Sequence, residues 1–164
     1  MSPLQWGLLT AAPLVLNLIA YRKDPERFVD ALGISALVAI FWGLTNSIDA
    51  RVSFPDNKSI HPAIDLLGGA ITMFAWWSRR ETWKIILTGL FLAQSVLDAA
   101  FWLAWLNHPS SVMGYRYVLW LNVLFLAQLV VLGGPGGMVV ARHVLSRLSG
   151  HTGLGHHVHP RQGV

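Results

Sequence analysis

The chain has no cysteine, which excludes disulfides, thiolate metal sites, cysteine-held iron–sulfur clusters and thiol redox chemistry. Charge is almost as scarce: Asp, Glu, Lys and Arg make up 12% of the 164 residues, about half the share in a soluble domain. No catalytic or cofactor motif of high specificity is present, so no reaction class follows from the residues alone.

What the chain has is apolar mass. Hydrophobic residues make up 54% of the sequence and the mean hydropathy is +0.50. A hydrocarbon core of about 30 Å takes roughly 20 apolar residues per helix. The expected fold is therefore an all-α polytopic membrane bundle of five transmembrane helices, which consumes nearly the whole length. The apolar N-terminal stretch lacks the basic leader of a secretory signal and reads as a retained first helix.

The five spans are read as Pro3–Tyr21, Val29–Asp49, Pro62–Ser78, Ile85–Leu106 and Tyr117–Leu132. Charge runs and prolines punctuate them: RKDPER after the first, ARVSFPDNKSI after the second, RRETWK after the third and NHPSSVMGYR after the fourth. Pro62 suits a helix's first turn, where its missing N–H would be unpaired anyway. Most of the eight tryptophans fall near span ends, as an interfacial aromatic belt requires.

Gly133, Gly134, Pro135, Gly136 and Gly137 are expected to break the fifth helix. Beyond them, residues 138–150 place Val140, Val144, Leu145 and Leu148 against Arg142, His143, Ser146 and Arg147, the pattern of a short amphipathic helix in the interface. The organisation expected is thus a bundle over 1–137, an interfacial helix over 138–150 and a disordered histidine-rich tail over 151–164. That tail, with His151, His156, His157 and His159, is metal-coloured by composition only.

A net charge of +4 and a pI near 10 suggest nucleic acid in a soluble protein. Here the basic residues flank membrane spans, so orientation and anionic lipid account for them and no nucleic-acid partner is expected. With five spans, Arg22, Lys23, Arg27, Arg79, Arg80, Lys84, Arg142, Arg147 and Arg161 share one side, and only Arg51, Lys58 and Arg116 the other. That asymmetry puts the N-terminus outside and the C-terminus in the cytoplasm. The compact loops fit a bacterial inner membrane.

The informative residues are polar ones where a bilayer makes them costly. Asn46 and Asp49 end span two, and His61 and Asp65 share a face of span three. Asp98 lies roughly 12 Å below the outer end of span four. Gln94 precedes it by one turn, and His108 lies just past the span's end. If consecutive spans pack together, these groups converge on one outward-facing pocket. Asn46, Asp49, Gln94 and Asp98 are the candidates for a ligand or proton site.

His61, Asp65, Asp98 and His108 have the donor chemistry for a divalent metal. Haem is disfavoured, because no histidine occupies a span interior. The competing, plainer reading pairs these groups helix to helix. Thr10, Pro13 and Asn17 on span one, with Gln94, Asn122 and Gln128, fit the same interhelical role, and Gly68, Gly69 and Thr72 fit close packing.

Three functions are compatible with this pattern. One is a non-enzymatic membrane subunit or binding module with an outward-facing polar pocket. The second is a small channel, transporter or holin-like permeabilising protein, and the third a metal-dependent enzyme or redox subunit. The first asks least of the residues, so enzymatic activity is not favoured. The apolar faces of so small a bundle suit lipid, further copies of the chain, or another membrane protein.

Overall fold

The computed structural model describes residues 3–52 and 56–151. It contains five α-helices: α1 Pro3–Tyr21, α2 Pro25–Asp49, α3 His61–Ser78, α4 Thr82–Asn107 and α5 Ser111–His151. A single 3₁₀ turn, Asp56–Ser59, precedes α3. No strand occurs among the described residues.

Local chemistry sets several of these boundaries. Asp24 caps α2 by accepting the Arg27 backbone N–H at 3.1 Å, and Pro25 occupies the first turn. Pro62 does the same in α3. The α3 to α4 connection is only three residues long, Arg79 to Glu81, which forces an antiparallel neighbour.

Each helix packs on its sequence neighbour, and α5 returns to pack on α1, closing a ring. The α3–α4 and α1–α5 seams are the most extensive. Along the second seam, Gly133 faces Pro13 and Gly136 faces Leu16 and Asn17, so α1 and α5 run parallel.

Apolar residues lie on the outside of this bundle. Phe74 is 77% exposed and Val130 72%, while Lys84 and Asp98 are fully buried. That inversion of a soluble protein's pattern suits a lipid surround. The protein is accordingly a membrane protein, and three helices have the length and apolarity to cross a bilayer: α2, α4 and the Val112–Arg147 part of α5. α1 and α3, with 19 and 18 residues, are shorter.

Lipid offers no hydrophobic drive between helices, so close approach and hydrogen bonds hold such a bundle together. The core supplies both. Ile34, Val38, Leu87, Phe91 and Leu132 pack together, and Gly68 admits two aromatic rings where a methyl group would meet Phe91 Cε1 at 2.8 Å and Phe41 Cε2 at 2.9 Å. Thr72 and Thr88 hydroxyls meet at 2.9 Å across α3 and α4.

The expected break at GGPGG does not occur. α5 runs unbroken through Pro135 for 41 residues, roughly 60 Å at 1.5 Å per residue. The glycines serve as a packing surface instead: a Cβ on Gly136 would lie 2.6 Å from Asn17 Oδ1 and 2.8 Å from the Leu16 carbonyl carbon. Asn17 Nδ2 also donates to the Leu132 carbonyl at 3.1 Å, supporting the backbone one turn before Pro135. A proline in a membrane helix is tolerated where a neighbour supplies such contacts. Residues 138–150 are thus the end of α5 and not a separate helix. The histidine-rich tail beyond His151 lies outside the described residues.

Candidate functional site

At one end of the bundle, the last turns of α2 and α4 meet the first turns of α3 and α5. They enclose a cavity of about 620 Å³. Asn46, Asp49, Asn57, Lys58, His61 and Gln94 supply its polar lining, and Trp42, Phe101, Trp105, Tyr117 and Phe125 its aromatic lining. The aromatic wall is ordered: the Phe101 and Tyr117 rings stack with centroids 3.8 Å apart, and Trp42 stacks on Phe125 at 6.2 Å.

The rim is an ionic knot built on Asp49. The 3₁₀ turn folds back so that Lys58 Nζ reaches both Asp49 oxygens, at 2.8 and 2.7 Å, and Asn57 Nδ2 donates to Oδ1 at 2.8 Å. Asn57 and Lys58 are buried in doing so. His61, also buried, holds Nε2 3.0 Å from Asp49 Oδ1 and Nδ1 4.0 Å from Asp98 Oδ2. The 3.0 Å approach lacks hydrogen-bond alignment, and Nε2 has no other partner.

Beneath the rim lie the two deep carboxyls. The Tyr117 hydroxyl donates to Asp98 Oδ1 at 2.6 Å, and Gln94 Nε2 donates to Asp65 Oδ1 at 3.2 Å. Gln128 Nε2 in turn donates to Gln94 Oε1 at 3.1 Å. Asp65 on α3 and Asp98 on α4 are both buried at the seam between these helices. Their Oδ2 atoms are buried without a hydrogen-bond partner.

The spacing on each helix explains the assembly. His61 and Asp65 lie one turn apart on α3, and Gln94, Asp98, Phe101 and Trp105 follow one face of α4. Ser95 pins the two helices by donating to the Pro62 carbonyl at 3.0 Å.

Of the residues expected at this site, Asn46, Asp49, His61 and Gln94 line the cavity, and Asp98 and Asp65 stand directly behind it. Asn46 turns its amide to its own helix, donating to the Trp42 carbonyl at 2.7 Å. His108 does not join them: it is the exposed C-cap of α4 and no part of the cavity lining. The four-residue metal set is therefore not assembled. Among the described residues no group of three or more His, Asp or Glu side chains could hold a metal ion.

Sequence reasoning missed Asn57, Lys58 and Tyr117. Lys58 is a loop residue in the sequence, and the turn from Asp56 to Ser59 brings it back onto Asp49. It also missed a second ionic centre at the opposite end of the bundle. Lys84 is fully buried and binds the Asp30 carboxylate, with Glu81 Oε2 at 3.3 Å and the Ala75 carbonyl at 3.3 Å.

Against known proteins, the chain is 26% identical over 125 residues to ABC transporter G family member 25 of Arabidopsis thaliana. The match covers 76% of this chain and 18% of that protein, so the chain spans less than a fifth of the length of the curated relative. No protein-family model and no solved structure matches it.

Proposed function

We propose that the protein is a five-span, non-enzymatic membrane subunit or binding module whose outward-facing cavity takes a small amphipathic ligand. The observation that carries this reading is the cavity of about 620 Å³ with an aromatic wall and an Asp49–Lys58–His61 rim. Small-molecule sites typically combine an apolar lining with a few placed polar groups. An apolar ligand body would lie against Trp42, Phe101 and Phe125, and its polar head would meet the rim.

The orientation follows from the distribution of Lys and Arg: the cavity end carries the few basic residues and the Lys84 end the many. The parallel course of α1 and α5 is what five alternating spans require. The compact connections suit a bacterial inner membrane. The exposed apolar faces would contact lipid, further copies or a membrane partner.

Equilibrium dialysis of the purified chain against a panel of small amphipathic amines and carboxylates tests this reading. At least one should bind the wild type and be lost in Lys58→Ala and His61→Ala. Equal retention by wild type and both variants would sink the assignment.

Transport is the second reading, favoured by the likeness to a segment of a transporter. Ion or solute flux across vesicles containing the purified chain separates this reading from simple binding.

A further inference from the structure

The inner ends of α1 and α5 leave a second cleft, of about 340 Å³. Its polar lining is Arg22, Lys23, His143 and Arg147, and its apolar lining includes Ile19 and Val140. No carboxylate lines it. Among the described residues, Arg22, Lys23 and Arg147 enter no ion pair. The carboxylate next in sequence, Asp24, is taken by Arg27, whose backbone N–H and Nε lie 3.1 and 3.4 Å from its two oxygens.

We propose that this cleft binds one anionic phospholipid of the cytoplasmic leaflet, its phosphate held by Arg22, Lys23 and Arg147 and its first acyl carbons lying on Ile19 and Val140. The inference depends on the membrane orientation given above and is independent of any ligand in the outer cavity. Two features select this occupant. Three permanent positive charges converge without a compensating carboxylate, which favours an anion. The same cleft continues into apolar side chains at the end of two membrane helices, which a free phosphate would leave uncovered and an acyl chain would cover.

The two helices make the site because they are parallel. The Gly133 and Gly136 contacts draw α1 and α5 together, so the residues following α1 emerge beside the last turns of α5, in register with His143 and Arg147.

Native mass spectrometry of the full chain released from a non-ionic detergent, with added dioleoylphosphatidylglycerol or dioleoylphosphatidylcholine, reads the site directly. One phosphatidylglycerol should be retained in preference to phosphatidylcholine. The variant Arg22→Gln/Lys23→Gln/Arg147→Gln should lose that preference, by about fivefold per charge removed. Arg79→Gln/Arg80→Gln, a basic pair at the same end but outside the cleft, should keep it.

Equal retention of the two lipids, or equal loss in both variants, would overturn the proposal. Displacement of the lipid by millimolar inorganic phosphate would overturn it too, by showing a free-anion site. If the triple variant does not fold, Val140→Trp, which fills the apolar floor while keeping every charge, decides instead. It should lose the retained phosphatidylglycerol, and unchanged retention would count against the site.

Discussion

Tyr117 on α5 reaches across to α4 and donates its hydroxyl to Asp98 Oδ1 at 2.6 Å, tying a fully buried carboxyl to the aromatic wall of the cavity. Both residues are buried, and the hydroxyl is the hydrogen-bond donor that Asp98 Oδ1 receives. Tyr117→Phe keeps the ring stacked on Phe101 and removes only the hydroxyl. It should destabilise the protein by roughly 1–3 kcal/mol, the cost of stranding a buried acceptor. Thermal unfolding in detergent measures this. Asp98→Asn, whose amide oxygen still accepts from Tyr117, should cost less, and a larger loss in Asp98→Asn than in Tyr117→Phe would refute the assignment.

The α1–α5 seam makes a sharper demand. A methyl group on Gly136 would press on backbone atoms of Leu16 and Asn17 at 2.8 and 2.9 Å, and backbone cannot swing aside as a side-chain tip can. Gly136→Ala should therefore separate the helices and cost about 1–3 kcal/mol. Gly134, two residues earlier, has open space where a methyl group would stand, with nothing within 4 Å. Gly134→Ala should leave the melting temperature unchanged or slightly raised, because alanine favours helix. Equal behaviour of the two variants would remove the basis for a glycine-packed seam.

At the other end of the bundle, Lys84 carries a charge with no exposure at all, balanced by Asp30 and Glu81. Breaking a buried pair by removing one partner costs roughly 3–5 kcal/mol, whereas replacing both partners by uncharged groups costs far less. Asp30→Asn should thus lower stability sharply, though Glu81 at 3.3 Å limits the loss. Asp30→Asn combined with Lys84→Met should recover most of it. A double variant no better than the single one would mean that Lys84 is held by something other than charge.

Much of this fold is legible in the residues, for a physical reason. Where a charge run meets an apolar stretch, the helix end can be read closely: α1 stops at Tyr21 before Arg22 and Lys23, and α3 at Ser78 before Arg79 and Arg80. The i, i+4 pair His61 and Asp65 and the depth of Asp98 likewise point to the site, because they depend only on helix geometry. GGPGG misleads because its meaning depends on a neighbour. In isolation it ends a helix, but against Pro13 and Asn17 it is a packing face. Lys58, Tyr117 and the Lys84–Asp30 pair depend on how helices rotate and how loops fold back, which one-dimensional spacing does not encode. His108 misleads for the same reason: nearness in sequence to a span end says nothing about which side of that end it faces.

The lack of native cysteine makes the proposed orientation directly measurable, since any introduced thiol is the sole one. Asn107 is exposed at the cavity end of α4, and Arg142 is exposed on the opposite end of α5. With the N-terminus outside and five crossings, Asn107→Cys should react with a membrane-impermeant maleimide added to intact cells. Arg142→Cys should react only after the membrane is opened. The pair is informative because α4 and α5 are consecutive: if α5 did not cross, both positions would label alike. Labelling of Arg142→Cys alone in intact cells would instead invert the bundle, turning the cavity to the cytoplasm and the basic cleft to the outer leaflet. The ligand reading of the cavity would then have to be sought among cytoplasmic molecules, and the anionic-lipid site would face the wrong leaflet.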